Sequence, residues 1–265
     1  EVAKGVEKEA HDSGYQILLC NTDRNESREI LYLSTLFERQ VDGVIMVPSS
    51  MAVQKLISNN DTPVVFLDVG KLPDQQLSIA FDNTQGAYLG TRYLLDLGHR
   101  EIAFVRGSDS RVIYDERLVG YQKALQDYQI PFNKHLIFTT GSSHIEDGQA
   151  ITAKILAAKT RPTAIFAVSD MLAIGILEGL SEQGLSVPQA ISVLGFDDIY
   201  LAALPSIRLT TIRQPQYQIG KAAAKLLIDS LENPGVHKAS PNQMLAPELI
   251  VRQTCGHPAE HTAAT

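Results

Sequence analysis

Charged and hydroxyl side chains recur immediately after short apolar runs of the chain, where the strands of an open α/β sheet present their ligand-binding groups. These residues are Asp68, Asp82, Ser169 with Asp170, and Asp197 with Asp198; Arg111 and Arg117 lie in the loop and first helical turn after the run 102–105. A carboxylate accepts hydrogen bonds from two hydroxyls, and the fork of an arginine donates to two oxygens. Together these side chains favour a polyhydroxyl ligand such as a sugar.

Helix capping is the competing interpretation of the acidic residues, because Asp and Ser are common N-caps. Asp170 and Asp198 are explained as well by capping as by binding. Asp82 and Asp197 are the better ligand candidates, because each has a second polar residue beside it that could form the cap. We expect Arg117 and Asp197 to face one water-filled cleft and, without a ligand, to attract each other only weakly.

Other kinds of chemistry find little support in the sequence. The spacings GxGxxG, GxxxxGK[ST], GxSxG, HExxH and the EF-hand loop are all missing. The seven histidines are scattered, which favours surface positions. Cys20 and Cys255 form no CxxC pair, so we interpret them as a core thiol and a tail thiol in a reducing cytoplasm. We therefore expect no enzyme activity, no metal and no cofactor.

Composition limits the possible partners. The chain has 265 residues, 44% of them hydrophobic, and a net charge of −7, so it can bury a core but offers no basic surface for phosphates. If the protein binds DNA, a segment outside this chain must do so. No apolar stretch approaches the roughly 20 residues of a membrane span.

An alternation of apolar runs and amphipathic segments must position the polar residues. The predicted strands cover residues 17–20, 44–47, 64–67, 79–81, 102–105, 136–139, 164–168 and 193–196. The predicted helices cover the first residues of the chain and residues 27–39, 84–97, 116–128, 146–158, 171–183 and 216–231. Strands separated by helices of this length predict an α/β fold with two doubly wound parallel-sheet units. The last helix is an extra element, and we assign it to the first unit.

Two motifs carry a resemblance to a known family. Residues 195–198 read GFDD and residues 209–215 read LTTIRQP, a pair that resembles the GYDD and LTTIxQP signatures of the LacI/GalR transcription repressors. Five further stretches agree in order and spacing: VDGVI at 41–45, LGHREI at 97–102, ERLVGY at 116–121, RPTAIF at 161–166 and SDMLA at 169–173. The resemblance runs from the first residue to about Cys255, and the ribose repressors are one branch to which the chain could belong.

The resemblance implies a core similar to periplasmic binding proteins of type I. Its amino-terminal subdomain would comprise residues 1–98 and 213–240, its carboxyl-terminal subdomain residues 99–212 and 241–255, and residues 256–265 would form a polar tail. Members of the family also carry a DNA-binding headpiece and a first central strand, which this sequence does not contain. We expect the chain to be incomplete at its amino end for that reason.

The resemblance also implies functional residues. Effector contacts fall on Arg111, Arg117, Ser169, Asp197 and Asp68, while Ser143 and Ile113 take wall positions; Asp82 is added by its place after a strand. Ile113 and Ser143 replace polar and aromatic residues of the purine-binding members, which disfavours a purine effector. The resemblance places the apolar loop with Tyr200, Leu201 and Leu204 at the dimer interface, whereas the residues alone are explained equally well by a loop buried within one subunit.

Three functions follow from these observations. The first is the effector-sensing core of a cytoplasmic, homodimeric repressor, in which a sugar or sugar derivative modulates operator binding through a headpiece outside this chain. The second is a sugar-binding protein of a transport system, and the third and weakest is an enzyme.

Overall fold

The computed structural model describes residues 1–23, 25–48, 53–67, 76–108, 112–233 and 242–259. The helices are α1 Val2–Asp12, α2 Glu26–Glu38, α3 Val53–Ser58, α4 Asn83–Asp96, α5 Val112–Asp127, α6 Ile145–Leu156, α7 Asp170–Glu182 and α8 Gln216–Glu232. The strands are β1 Val44–Met46, β2 Val64–Leu67, β3 Leu77–Phe81, β4 Ile102–Gly107, β5 Ile137–Thr140, β6 Ala164–Ala167, β7 Ser192–Asp197, β8 Thr210–Arg213, β9 Asn242–Leu245 and β10 Glu248–Ile250. The expected α/β class with parallel sheets is confirmed.

The chain folds into two compact units. Unit 1 contains Glu1–Phe81 and Pro215–Leu245, and unit 2 contains Asp82–Gln214 and Ala246–Thr265. These boundaries differ from the subdomains implied by the resemblance, which divided the chain at residues 98 and 240. Two elements cause the difference: α4 belongs to unit 2, and β9 belongs to unit 1.

Unit 1 is built on a parallel sheet of order β1-β2-β3-β9. Apolar side chains from β1 and β2 pack with α2 and α3 in a core formed by Leu33, Val44, Val53, Val64 and Phe66. The extra helix α8 packs against α1, as its assignment to the first unit predicts. Their backbones approach so closely that a Cβ on Gly5 would lie 2.1 Å from the carbonyl oxygen of Tyr217.

One predicted strand of unit 1 does not form. Residues 17–20 carry no strand hydrogen bonding, and Leu18 and Leu19 are 68% and 79% exposed. Cys20 is exposed as well, so the expected core thiol is wrong. An apolar run becomes a strand only where another strand pairs with it, and none of the described strands pairs with residues 17–20.

Unit 2 is built on a sheet of order β10-β8-β7-β6-β4-β5, in which only the pairing of β10 with β8 is antiparallel. Its interior contains a row of aromatic rings. Phe104 lies between Tyr121 and Phe166, with ring centroids 5.2 and 5.6 Å away, and Phe166 in turn lies 6.5 Å from Phe196. These rings join α5, β4, β6 and β7 into one core. The last ring of the row, Phe196, is one residue before the end of β7.

Helix α4 belongs to unit 2 because it packs directly on that sheet. A Cβ on Gly86 would lie 2.8 Å from the ring of Phe196, and one on Gly90 would lie 2.7 Å from the side chain of Leu194. Glycine at these two positions allows the helix to lie against the face of β7. The start of α4 is thereby brought beside the end of β7, where the predicted site residues are found.

The carboxyl-terminal segment is fastened to unit 2 by a buried histidine. His99 is 1% exposed, and its Nε2 lies 2.9 Å from the carbonyl oxygen of Gly256 and 3.1 Å from Oγ of Ser192. Its Nδ1 lies 2.9 Å from Oγ1 of Thr163, and burial lowers the pKa of the imidazole. The surface position expected for His99 is therefore wrong, and the next residue after Gly256 also contacts the unit, since Nδ1 of His257 lies 2.8 Å from the carbonyl oxygen of Leu97. Among the residues with described structure, no helix is both long and apolar enough to cross a membrane.

Candidate functional site

Arg117 is the buried centre of the candidate site. Its side chain is 2% exposed, and its guanidinium lies 3.6 Å from the centroid of the Phe196 ring. Nε donates to Oδ1 of Asn83 at 2.9 Å, and Nη1 donates to the carbonyl oxygen of Val168. Asn83 begins α4, whereas Val168 and Phe196 lie at the ends of β6 and β7. Three segments distant in sequence therefore fix the plane of one arginine.

Asp197 faces this arginine from the last position of β7. Its Oδ1 lies 3.6 Å from Nη2 of Arg117, and its side chain is 23% exposed. Gln214 donates from Nε2 to the same Oδ1 at 3.2 Å. The structure thus brings together the two charges expected to meet at the strand tips. It also corrects the expectation of a water-filled setting, because the arginine is buried beneath the carboxylate.

Asp198 has different surroundings. Its carboxylate is 8% exposed and accepts hydrogen bonds from Nε of Arg213 at 2.7 Å and from Nη2 of Arg252 at 2.6 Å. The backbone φ angles of Asp197 and Asp198 are 117° and 56°, an uncommon conformation for residues with a side chain. Because the chain turns in this way, the two successive carboxylates meet different arginines.

The structure shows which of the four acidic candidates within the described residues cap helices. Asp82 is the N-cap of α4 and accepts from the amide of Gln85 at 2.8 Å. The expectation that the polar residue beside Asp82 would form this cap is therefore wrong. Ser169 caps α7 by accepting from the amide of Leu172 at 3.3 Å. Asp170, Asp197 and Asp198 do not cap helices.

Hydroxyl groups adjoin the charged pair. Ser169 is 8% exposed, and its Oγ donates to the carbonyl oxygen of Ser143 at 3.4 Å. The Ser143 hydroxyl lies 2.7 Å from the hydroxyl of Tyr114, whose ring lies 5.9 Å from the Arg117 guanidinium. Ile113, beside that tyrosine, is 9% exposed and adds an apolar surface. Asp68 and Arg111 lie outside the described residues.

Sequence reasoning missed the residues that hold Arg117 in place. Asn83 is 3% exposed; besides accepting from Arg117, it donates from Nδ2 to Oε2 of Glu116 at 3.2 Å. Its only signal was its place after Asp82 at the start of a helix. Phe196 lies within the GFDD motif, but nothing in the motif indicates that its ring supports an arginine.

Among the carboxyl groups of the site, Asp170 has the most clearly shifted pKa. It is fully buried, and burial together with the negative charge of Asp197 raises its pKa to about 8. The neutral acid therefore predominates at pH 7. No group of three or more metal-ligating side chains occurs in the part of the chain that the structure describes.

The predicted dimer loop forms a short 3-10 helix, Tyr200–Ala203. Tyr200 is 81% exposed, whereas Ala202 is fully buried and anchors the helix to the unit. Leu201 and Leu204 are half-buried. The loop therefore presents a large aromatic side chain on a fixed backbone.

Comparisons with known proteins agree with this architecture. Residues 91–255 match the family model of the periplasmic binding protein-like domain. The HTH-type transcriptional repressor PurR of Vibrio parahaemolyticus is 33% identical over 257 residues, which cover 96% of this chain and 76% of that repressor. The PurR repressor of Photobacterium profundum is 34% identical, with the same shares covered.

Solved structures extend the similarity to three dimensions. A LacI family transcriptional regulator of Enterococcus faecium with bound ribose has 31% identity and a TM-score of 0.86, covering 97% of this chain and 93% of the other. The transcription regulator CcpA of Lactococcus lactis has 28% identity and a TM-score of 0.88, covering 96% and 93%. Both similarities extend over nearly the whole chain, so they include both units.

Proposed function

This chain belongs to the LacI family of transcription regulators, and we propose that it recognises a small neutral sugar at the Arg117 and Asp197 site. It is the effector-binding core of a transcription repressor, and it is not an enzyme. The alternative of a transport protein loses its support, because the similar proteins are transcription regulators. What the sugar changes is the affinity of the repressor for operator DNA, a coupling of two binding equilibria.

The observation that carries the sugar proposal is the pairing of a fixed arginine with a partly exposed carboxylate. Asp197 can accept hydrogen bonds from two vicinal hydroxyls, and the paired hydroxyls of Ser143 and Tyr114 add groups that both donate and accept. Ribose is the first candidate, because two of the similar LacI family structures are described with bound ribose. A purine is the second candidate, favoured by the similarity to the PurR repressors.

We propose further that the loop with Tyr200, Leu201 and Leu204 contributes to a homodimer. A two-fold dimer presents two headpieces to two half-sites of an operator. A DNA-binding segment outside this chain would make those contacts, since the net charge of −7 is unfavourable for binding phosphates. A repressor acts where the operator lies, so we place the protein in the bacterial cytoplasm.

Calorimetry with D-ribose, D-glucose, ribose 5-phosphate and hypoxanthine tests the effector class. We expect ribose to bind and to raise the unfolding midpoint, because a ligand at one hundred times its Kd adds about 2.7 kcal/mol of apparent stability. Asp197→Asn is the matched variant: a tenfold weaker Kd would reduce this contribution to about 1.4 kcal/mol, roughly half of the ribose shift. Binding of hypoxanthine alone would overturn the sugar proposal in favour of a purine.

A further inference from the structure

Asp170 joins two segments that meet beside the candidate site. It is the first residue of α7, and its side chain is fully buried. Its Oδ2 accepts a hydrogen bond from the backbone amide of Ile199 at 2.8 Å, and its Oδ1 accepts from Oγ1 of Thr211 at 2.5 Å. Ile199 follows the two acidic residues of the strand tip, while Thr211 lies on β8. One carboxyl group therefore connects α7, the segment after β7, and β8.

The neighbouring strand leaves room for this carboxyl group. A Cβ on Gly195 would lie 2.3 Å from Oδ1 of Asp170, closer than real Cβ contacts. Any larger residue at this position would displace the carboxyl group from Thr211. The glycine of the GFDD motif thus has a physical role, which is to admit the Asp170 side chain against β7.

The segment that Asp170 holds contains the turn at Asp197 and Asp198. Both residues have positive φ angles, and such backbone persists only where surrounding contacts maintain it. On one side, the amide of Gln214 donates to the carbonyl oxygen of Asp197 at 3.3 Å. On the other side, the first amide beyond the turn, that of Ile199, donates to Asp170. The turn is therefore fastened at both ends.

We propose that Asp170 is a positioning residue for effector recognition: by holding the amide of Ile199, it keeps the Asp197 carboxylate directed at Arg117 and the ligand. This inference rests on the proposed function of Asp197. Ile199 is also the N-cap residue of the Tyr200–Ala203 helix, so the same hydrogen bond fixes the start of the proposed dimer loop. In this proposal Asp170 acts through the backbone that carries both sets of residues.

The protonation state of Asp170 supplies a conservative variant. Since burial and Asp197 raise its pKa, the neutral acid predominates at pH 7, and asparagine has the same shape and charge. In Asp170→Asn, Oδ1 can accept from Ile199 while Nδ2 donates to Oγ1 of Thr211, whose hydroxyl can rotate into the role of acceptor. Asp170→Leu keeps a similar volume but removes both hydrogen bonds.

The test combines hydrogen–deuterium exchange with calorimetry, using D-ribose as the probe. In Asp170→Leu, we expect amides 197–204 to exchange at least tenfold faster than in the wild type and ribose affinity to fall at least tenfold. Asp170→Asn should restore both to within about threefold. Thr152→Val is the matched control: it deletes a buried hydroxyl that donates to the carbonyl oxygen of Gly148 in α6, so it should lower stability without changing either quantity.

Three results would overturn the proposal: unchanged exchange of amides 197–204 in Asp170→Leu, faster exchange there in Thr152→Val, or no rescue by Asp170→Asn. If Asp170→Leu does not fold, Thr211→Val takes its place. It removes one hydrogen bond of the carboxyl group, and we expect exchange of the same amides to rise at least threefold; unchanged exchange would contradict the proposal. Wild-type protein that does not bind ribose would contradict the sugar function, and the exchange measurements would still decide the role of Asp170.

Discussion

Replacement of Arg117 by lysine tests whether this arginine is part of the fold as well as of the site. The guanidinium satisfies Oδ1 of Asn83 and the carbonyl oxygen of Val168 while it stacks on Phe196. A lysine ammonium is a point charge without a planar fork, so it cannot reach both acceptors and cover the ring. At least one buried acceptor loses its partner, and the stacking is lost.

These losses add to a measurable destabilisation. A buried polar group left without its partner costs about 1–3 kcal/mol, and a desolvated cation–π contact contributes roughly 0.5–2 kcal/mol. We therefore expect Arg117→Lys to destabilise the protein by about 3 kcal/mol. In a chain of this size each kcal/mol lowers the melting temperature by roughly 2–4 °C, so unit 2 should melt about 6–12 °C lower.

Scanning calorimetry measures this effect, because it resolves the melting of unit 2 even where two units unfold separately. Arg92→Lys is the matched control: Arg92 is exposed, with its guanidinium 5.9 Å from the ring centroid of Tyr88, so its replacement should cost less than about 0.5 kcal/mol. Equal melting of Arg117→Lys and wild type would refute the reasoning. It would restore the expectation of a weak, water-exposed pair.

Three further predictions concern neighbouring residues. Asp197→Asn should weaken ribose binding about tenfold or more in calorimetry. It should shift the melting temperature by less than about 2 °C, because this carboxylate is partly exposed. A large drop in melting temperature would show instead that the role of Asp197 is structural. Replacement of both Tyr200 and Leu201 by Asp should convert dimers into monomers in light scattering, and unchanged mass would remove the loop from the interface. Asp170 titrates at about 8 in the folded protein and at an ordinary value of 3.8 otherwise, so its stabilising contribution is complete below pH 3.8 and is lost as the pH rises through 8. Denaturation midpoints of wild type should therefore fall relative to those of Asp170→Asn between pH 5 and 9, and parallel pH profiles would contradict the raised pKa.

The sequence predicted those elements whose signals are local. Buried parallel strands such as β2 and β6 are continuous apolar runs, and the helices between them have helical periodicity and glycine ends. Residues 17–20 have the same apolar character and form no strand. Strand β9 has a mixed polar sequence and forms because β3 pairs with it. Whether a segment forms a strand depends on a partner strand that is distant in sequence, and an apolar run by itself does not specify that partner.

Within the candidate site, sequence reasoning identified the charges but not their surroundings. The rule that ligands bind at carboxyl strand ends brought Arg117 and Asp197 together correctly. The burial of Arg117 depends on contacts with Asn83, Val168 and Phe196. These residues come from three different segments, so no local sequence pattern predicts that the arginine is buried. The boundary implied at residue 98 differs from the one in the structure for a similar reason. Helix α4 packs closely on the sheet of unit 2, and this packing cannot be recognised from the sequence of the helix alone.

Under the sugar-binding function that we propose, the charge balance of the strand tip bears on which sugars the site would take. Asp197 is compensated by Arg117, and Asp198 by Arg213 and Arg252, so these three arginines of the described strand tip each already face a carboxylate. A phosphate near Asp197 would meet a carboxylate before it reached the buried guanidinium, and like charges at that distance repel. A neutral hydroxyl meets no such barrier and gains charge-assisted hydrogen bonds from groups that are already oriented. We therefore expect the pairing of Arg117 with Asp197 to favour an uncharged sugar over its phosphorylated derivative.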